Sequence, residues 1–371
     1  MSQPLRVGLV GCGIATQALH LPALASLARR FSVTAVCDAS EAVADEVAAR
    51  CGARPIADPF ALVEAEDVDV VCVCTPDAVH LDHALAAVEA RRRAVLVEKP
   101  MTLNARMGRI LADASEKYGV PVLVEYPHVY DAAARRALAA FGDPARLRSG
   151  EFFCQVGPND AVIADAIEPI RPSGPPDAWA GLLAQLEMVT AATEVLGTAV
   201  GAPMVVGYGL TLGLTIHDIP LLRRFAGPSL RVAWARFRPA ANPIDVAGFG
   251  IDAALETPSA TLFLQSEFHP LKRTEWGFRV RRGDLHAEVR YPTTFAPAAP
   301  SRCTLFREED GATHESTTTD LYETGFRRIW RHVHDVVIRG AAPETPARDA
   351  IADLELVEAI ARAAVAGGVG A

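Results

Sequence analysis

Short apolar runs alternate with helical patterns through the first 125 residues, and this alternation constrains the fold more than any other feature. Two of the runs, Val68–Cys74 and Ala94–Val97, are apolar along almost their whole length, as expected of parallel strands that are covered on both faces. Repeated strand–helix units predict a parallel sheet with right-handed crossovers. We therefore expect residues 1–125 to form an α/β domain with a doubly wound parallel sheet of the Rossmann type.

The pattern changes after residue 125. The stretch 157–176 is rich in Pro, Gly and Asp and predicts a loop. From about residue 230 most segments have strand patterns, and two helices end the chain. We expect residues 126–371 to form an α+β domain for substrate binding and oligomerisation, built on a large, open, mostly antiparallel sheet. Residues 157–205 are expected to be an atypical inserted segment.

Composition limits the classes of partner. The chain has 371 residues, of which 50% are hydrophobic and 22% charged, and its formal net charge is -9. A large core is therefore possible, and a nucleic-acid partner, which needs a basic face, is not expected. No charged-then-apolar leader precedes the first strand, and the longest apolar stretches, such as Val205–Ile216, are too short and Gly-rich to span a bilayer. We expect a cytoplasmic protein with no membrane partner.

Seven cysteines are scattered along the chain, and none forms a Cys-x-x-Cys pair. Cys72 and Cys74 alternate on one strand and should share one of its faces. We expect these residues to be small buried side chains and predict neither a metal site nor a disulfide framework.

A glycine loop joins the first strand to the first helix. Gly11 allows a tight turn, and Gly13 lets the backbone approach a pyrophosphate, with Ile14 and Ala15 next in the loop. The pyrophosphate would then meet the free N–H groups at the start of the first helix, which we expect from about His20 to Arg30. The third motif glycine is absent, because Thr16 stands in its place. The position of the loop in a strand–helix–strand unit nevertheless predicts a dinucleotide site.

Asp38 ends the second strand, where the acid that binds the adenosine ribose belongs. A carboxylate there accepts hydrogen bonds from the ribose hydroxyls and repels a 2′-phosphate, which favours NAD over NADP. NADP stays possible because Ser40 could hydrogen-bond a 2′-phosphate. Alternatively, Asp38 only ends the strand and helps to cap the next helix.

Lys99 follows the apolar run Ala94–Val97, at a strand end where open α/β sheets bind ligands. Buried lysine is rare without a partner or a chemical role, although this side chain could also extend to solvent. Thr75, Pro76 and His80 follow the preceding strand and should lie beside the glycine loop. They could equally form a turn and a helix cap.

These motifs resemble the glucose-fructose oxidoreductase/inositol dehydrogenase (Gfo/Idh/MocA) family. The resemblance rests on the glycine loop with Ile14 and Ala15, on Thr75 and Pro76 with His80, and on Glu98-Lys99-Pro100. It implies a Rossmann domain followed by an open-sheet domain, with a sugar, inositol or related polyol bound above the nicotinamide. It also implies that Glu98 and Lys99 adjoin the cofactor, that the Lys–Pro bond is often cis, and that the protein is a homodimer or homotetramer.

Relatives also carry an Asp-x-x-x-His element in the second domain. Here the histidine is His217, but Gly213 occupies the aspartate position. Thr215 and Asp218 have the spacing of a capping box, so Asp218 is expected to cap a helix and His217 to lie in its first turn. The helix dipole would keep that imidazole neutral and able to accept a proton. The alternative is a structural histidine.

Tyr126 and His128 follow the last strand of the first domain. Either could bind substrate and replace the missing aspartate, or both could be ordinary linker residues.

The resulting hypothesis is an NAD(P)-dependent oxidoreductase that moves hydride between nicotinamide and a hydroxyl or keto carbon of a sugar, inositol, amino sugar or related polar small molecule. His217 would accept the hydroxyl proton and Lys99 would polarise the same oxygen. Two alternatives stay open: an enzyme that uses tightly bound NAD for a redox-neutral elimination or epimerisation, and a non-catalytic NAD-binding regulator.

Overall fold

The described part of the chain forms two β-sheets, one of six strands and one of eight. The computed structural model describes residues 3–172, 178–197, 200–241, 247–293, 295, 299–320 and 323–367. The chain divides into two compact units. The first comprises Met1–Tyr126, Ile163–Val189 and Phe326–Ala352, and the second comprises Pro127–Val162, Thr190–Gly325 and Asp353–Ala371.

The first unit contains the six-stranded sheet, in which every pairing is parallel. Its strands, in chain order, are β1 (Leu5–Val10), β2 (Phe31–Cys37), β3 (Arg54–Pro55), β4 (Val70–Val73), β5 (Ala94–Val97) and β6 (Val122–Val124). They lie in the order β3-β2-β1-β4-β5-β6, which is the doubly wound order of dinucleotide-binding domains. All residues of β4, β5 and β6 are buried, as the apolar runs predicted.

Five helices connect these strands: α1 (Leu21–Ala25), α2 (Glu41–Cys51), α3 (Pro59–Glu64), α4 (His80–Glu89) and α5 (Ala105–Tyr118). The Ser40 hydroxyl accepts the Val43 N–H and caps α2. The prediction of a first helix from about His20 to Arg30 is wrong. Helical backbone begins at Ile14, passes through a π-helical turn at Thr16–His20 and ends with α1. Pro22 explains the turn, because it has no N–H to donate to the Ala18 carbonyl.

The second sheet has the order β14-β13-β12-β11-β7-β10-β9-β8 and is antiparallel except between β7 and β10. This confirms the predicted fold class. Its strands are β7 (Ser149–Val156), β8 (Arg231–Arg238), β9 (Gly250–Glu256), β10 (Thr261–Phe268), β11 (Thr274–Arg282), β12 (Leu285–Tyr291), β13 (Arg302–Glu309) and β14 (Ala312–Thr319). The sequence pattern missed β13 and β14. The edge strand β14 is polar and almost wholly exposed, so it carries no alternation of buried and exposed residues.

The remaining helices are α6 (Pro127–Tyr130), α7 (Ala132–Phe141), α8 (Asn159–Ala166), α9 (Ala178–Leu196), α10 (Ala202–Gly213), α11 (Ile219–Ala226), α12 (Gly325–Arg339) and α13 (Ala347–Ala366). Residues 157–176 were expected to be a loop, but α8 lies within them. All of α9 and the start of α10 also fall in the segment 157–205. Residues 173–177 and 198–199 of that segment lie outside the described residues.

The compact units differ from the expected division at residue 125. Residues 163–189 and 326–352 were assigned to the second domain, but they group with the first unit. Side-chain contacts explain the grouping. Trp330 of α12 packs edge-on against Phe31, with ring centroids 5.2 Å apart, and Gln17 hydrogen-bonds both backbone groups of Ile170.

Within the described ranges, no single helix is long and apolar enough to cross a bilayer. The bent pair Ala202–His217 and Ile219–Ala226 meets those limits only when both parts are counted together.

Candidate functional site

The residues predicted to bind the cofactor all follow strands of the first sheet at their carboxyl ends. Strand order reverses between β1 and β4, and open α/β sheets bind ligands at such a point. The residues found at this edge are Gly11, Gly13, Ile14, Ala15, Asp38, Thr75, Pro76, Glu98 and Lys99.

The glycine loop has little room on its protein side. Gly11 has a φ of +96°, and a Cβ atom there would lie 2.4 Å from the carbonyl oxygen of Cys74, so only glycine fits. A Cβ atom at Gly13 would meet no atom within 4 Å. Helical backbone starts at Ile14. A tight turn, an open approach and a helix start are the features that a pyrophosphate requires.

Asp38 is held by two backbone groups. One carboxyl oxygen accepts the Cys12 N–H at 2.8 Å, and the other accepts the Ser40 N–H at 2.9 Å. Because Ser40 itself caps α2, Asp38 is not needed as the helix cap. Each of its oxygens keeps a further lone pair for a ribose hydroxyl. The glycine loop and this carboxylate together fit a dinucleotide.

His80 connects two loops of this edge. Its side chain is buried, with Nε2 2.7 Å from the Thr75 carbonyl oxygen and Nδ1 2.8 Å from the Pro100 carbonyl oxygen. The Thr75 hydroxyl lies 3.2 Å from Nδ1 of His83. His80 therefore fastens the loop after β4 to the turn that contains Lys99, a positioning arrangement that the sequence alone did not predict.

The turn at Lys99 is anchored through its neighbour Glu98. The Lys99–Pro100 peptide bond is cis, in agreement with the resemblance. One Glu98 oxygen accepts the Lys99 N–H at 3.2 Å, and the other lies 2.9 Å from Nε2 of His20. Burial raises the pKa of Glu98, but the hydrogen bond from His20 and the charges around the carboxylate together outweigh burial and hold that pKa below its usual range. The anchor of Lys99 is thus a carboxylate.

Trp330 sets the tautomer of His20. Its indole N–H lies 3.1 Å from His20 Nδ1. An indole can only donate, so Nδ1 accepts, and the ring proton on Nε2 is donated to Glu98. The chain Trp330–His20–Glu98 is buried and connects α12 to the turn at Lys99. Sequence reasoning missed it, because its members are far apart in the chain.

His20 also lies beside two thiols. Its Nδ1 and the sulfur atoms of Cys72 and Cys74 are within 4.8 Å of one another, a grouping that the scattered cysteines did not predict. The thiols are 3.4 Å apart, on one side of the strand as expected, and the hydrogen bond from Cys72 lowers the pKa of Cys74 to about 5. Both ring nitrogens of His20 are engaged by Trp330 and Glu98. In this arrangement neither offers a lone pair to a metal ion.

Glu125 follows β6 and is completely buried. Among the residues that the structure describes, neither of its carboxyl oxygens has a hydrogen-bond partner. Burial, reinforced by the negative charge of Glu98, raises the pKa of Glu125 well above its usual value. A neutral carboxylic acid therefore lies beside the anchored turn.

The raised pKa of Glu125 has a consequence for stability. Its folded pKa lies above the unfolded value of about 4.3, so the stabilisation is complete below that value and is lost as pH rises through the folded pKa. Glu125→Gln cannot ionise. We expect its melting temperature to exceed that of the wild type by an amount that grows between pH 5 and pH 9.

Melting curves across this pH range test the prediction, with Glu64→Gln, an exposed glutamate of α3, as the control. A pH-independent difference between Glu125→Gln and the wild type would show that Glu125 does not ionise differently in the folded state.

The second unit contains a buried cluster around Asp218. One Asp218 oxygen lies 3.2 Å from Nδ1 of His128, and the indole N–H of Trp276 lies 3.1 and 3.0 Å from the two oxygens. Burial raises the pKa of Asp218, and the hydrogen bonds from His128 and Trp276 act in the opposite direction. His217 belongs to the same cluster, with its ring 5.2 Å from Trp276 and 5.7 Å from His128.

Two expectations for this region are wrong. Asp218 makes no side-chain cap to α11, because its carboxylate is taken by His128 and Trp276. His217 lies in a 3₁₀ turn, Thr215–His217, before α11 rather than in the first turn of that helix. The position of the missing aspartate is open, since a Cβ atom at Gly213 would meet nothing within 4 Å. Tyr126 is buried in the first unit, whereas His128 belongs to the second.

Comparison with known proteins identifies the first domain. Residues 5–126 match the model of the oxidoreductase family with an NAD-binding Rossmann fold (GFO_IDH_MocA). The chain is 38% identical over 119 residues to an inositol 2-dehydrogenase of Rhodococcus erythropolis, a match of 32% of this chain and 34% of the relative. It is 31% identical over 128 residues to a D-glucoside 3-dehydrogenase of Escherichia coli, a match of 34% of this chain and 36% of that relative. These matches span about a third of each relative.

Solved structures extend the likeness of fold to nearly the whole chain. KijD10, a 3-ketoreductase from Actinomadura kijaniata solved with NADP and TDP-benzene, has a TM-score of 0.72 at 20% identity, covering 97% of this chain and 98% of that chain. A putative NADPH-dependent oxidoreductase from Desulfitobacterium hafniense has a TM-score of 0.74 at 16% identity, covering 99% of this chain and 97% of that chain. Residues 5–126 are therefore similar to the NAD-binding Rossmann domain of the Gfo/Idh/MocA oxidoreductase family, and over the whole chain the likeness is one of fold.

Proposed function

We propose that this protein is an NAD(P)-dependent oxidoreductase that interconverts a hydroxyl and a keto carbon of a sugar, inositol, amino sugar or related polar small molecule. The observation that carries the proposal is the anchored lysine. Lys99 stands at the carboxyl end of β5, on a turn held by Glu98 and His80, at the same sheet edge as the glycine loop. The similarity to an inositol dehydrogenase and a glucoside dehydrogenase supports the substrate class.

Different residues of the first unit bind different parts of the cofactor. Gly11 and Gly13 admit the pyrophosphate to the helix start at Ile14 and Ala15, and Asp38 binds the adenosine ribose. Thr75 and Pro76 line the neighbouring loop, which His80 holds in place. When bound, the nicotinamide supplies the hydride acceptor for oxidation and the hydride donor for reduction.

The remaining roles belong to groups that bind the substrate oxygen and move its proton. Lys99 presents an ammonium group that hydrogen-bonds and polarises this oxygen. The sequence motif assigns to His217 the role of accepting the hydroxyl proton during oxidation and returning it during reduction. Tyr126 and His128 are the proposed substrate contacts.

Nucleotide preference is the first testable consequence. The Asp38 carboxylate repels a 2′-phosphate, so we expect the wild type to bind NAD more tightly than NADP. Asp38→Ala should weaken NAD binding by about tenfold, the effect of one charge-assisted hydrogen bond of about 1.4 kcal/mol, and should reduce the discrimination between the nucleotides. Titration calorimetry with both nucleotides measures this. Asp45→Ala, at an exposed site on α2, is the control, and tighter binding of NADP by the wild type would contradict the assignment of Asp38.

Turnover tests the function itself. The purified full chain is incubated with NAD or NADP and a panel of inositols, D-glucosides and amino sugars, while the absorbance of reduced nicotinamide is followed. We expect free reduced nucleotide to accumulate in proportion to the substrate consumed. Substrate loss without such accumulation would indicate redox-neutral chemistry, and nucleotide binding without any turnover across the panel would indicate a regulator. The cytoplasmic location and the homo-oligomeric state stay predictions.

A further inference from the structure

Asp218 directs its carboxylate to a histidine that the sequence motif does not include. The motif aligns His217 as the base and leaves Gly213 without a carboxylate, yet Asp218 lies 3.2 Å from His128. We propose that His128, oriented by Asp218, is the proton-transferring residue of the second unit. This inference rests on the proposed oxidoreductase function and replaces His217 in the role of acid and base.

Hydrogen-bonding capacity fixes which atom of His128 is available. The indole of Trp276 can only donate, so Asp218 accepts from it. Asp218 accepts in the same way from Nδ1–H of His128. Nε2, which keeps its lone pair, is then the basic atom of the ring. A buried carboxylate behind an imidazole holds the reactive tautomer and stabilises the imidazolium that forms when the base takes a proton.

Packing fixes the plane of the His128 ring. The ring stacks on Tyr291 with centroids 3.9 Å apart and an interplanar angle of 6°. It meets Trp276 edge-on at 4.7 Å and 85°. The side chain of Asp218 is almost fully buried, so solvent does not compete for the hydrogen bond. The contacts with two aromatic rings and the hydrogen bond at one nitrogen orient the imidazole before a substrate binds.

His128 follows the last strand of the first sheet closely along the chain. β6 ends at Val124, and Glu125 follows it at the carboxyl edge. Only two residues, Tyr126 and Pro127, lie between Glu125 and His128, which limits the distance between the Cα atoms of Glu125 and His128 to about 11 Å.

The titratable groups around His128 are Asp218, His217, Tyr291 and Asp131. Asp131 is buried and accepts hydrogen bonds from two N–H groups of α7 and from Ser301. The Tyr291 hydroxyl is buried and has no hydrogen-bond partner among the described residues. Burial raises the pKa of Tyr291 well above its usual value, so the phenol beside His128 stays neutral.

The proposed step balances with the nicotinamide as the two-electron partner. In oxidation, Nε2 of His128 takes the hydroxyl proton as the carbon–hydrogen bond breaks, and an oxidised nicotinamide, when bound, would accept the hydride. A carbon–oxygen double bond forms, and His128 becomes an imidazolium paired with Asp218. In reduction, the proton and the hydride return to the same oxygen and carbon.

NMR tests the tautomer without any substrate. A long-range nitrogen–proton correlation on the full chain, assigned with His128→Asn, should show neutral His128 protonated at Nδ1. In Asp218→Asn, the amide N–H₂ can face Nδ1, so we expect the proton to move to Nε2. A wild-type His128 protonated at Nε2 would overturn the proposal, because that nitrogen could not then accept a substrate proton.

Turnover of the inositol and glucoside panel tests the role. We expect His128→Asn to lower kcat by about 10²–10⁴-fold and Asp218→Asn by about 10²-fold, and we expect Asp218→Asn to shift the acidic limb of the kcat–pH profile. His314→Asn, at an exposed site on β14, is the matched control. An active wild type with unchanged kcat in folded His128→Asn overturns this inference alone, whereas a wild type inactive on every probe overturns the proposed function and the inference with it.

Discussion

Lys99→Ala is expected to lower turnover by about 10²–10⁴-fold, the range for loss of a positioned proton-transferring or polarising group, while NAD still binds. The reason is that Lys99 meets the substrate oxygen, whereas Gly11, Gly13 and Asp38 carry most of the nucleotide binding. The measurements are the rate of nicotinamide reduction with the inositol and glucoside panel and the dissociation constant for NAD from calorimetry.

The matched control for Lys99→Ala is Lys117→Ala, which removes an exposed lysine of α5 in the same unit. It should leave both the rate and the affinity unchanged. Full activity in Lys99→Ala would refute the catalytic assignment. Loss of NAD binding in the same variant, with the melting temperature unchanged, would assign Lys99 to the cofactor rather than to the substrate.

Gly11→Ala should both destabilise the first unit and abolish NAD binding. Its φ of +96° is strained for any L-residue, and the new methyl group would lie 2.4 Å from the Cys74 carbonyl oxygen. Strain of this kind costs about 1–3 kcal/mol before the steric clash is counted, and each kcal/mol lowers the melting temperature of a domain of this size by about 2–8 °C. Thermal unfolding and NAD calorimetry measure the two effects.

Gly13→Ala separates the two effects. Among the described residues, no atom beyond Gly13 and its two chain neighbours lies within 4 Å of the added methyl group, so the melting temperature should change little. NAD affinity should still fall, because the methyl group enters the space through which the pyrophosphate approaches the backbone. Unchanged NAD affinity in Gly13→Ala would place the pyrophosphate elsewhere, and wild-type stability in Gly11→Ala would show that the loop can relax.

The parts of the candidate site that follow strands were predictable from local sequence. Each ligand-facing loop of the first unit begins where an apolar run ends, so the position of Lys99 or Asp38 along the chain also gives its position on the sheet. The glycine loop was predictable for the same reason, since backbone geometry at Gly11 excludes any side chain. The pairing of Asp218 with His128 was not predictable, because the capping-box spacing gave Asp218 a local partner that it does not use.

By itself, the sequence determined the parallel sheet, its ligand edge and the dinucleotide loop, because burial periodicity and glycine geometry act within a few residues. Only the tertiary structure decided the partners that convert these residues into a site. Trp330 reaches His20 across 310 residues of sequence and Asp218 reaches His128 across 90. Such contacts depend on which surfaces pack together, and a buried polar group selects its partner only after that packing has excluded water.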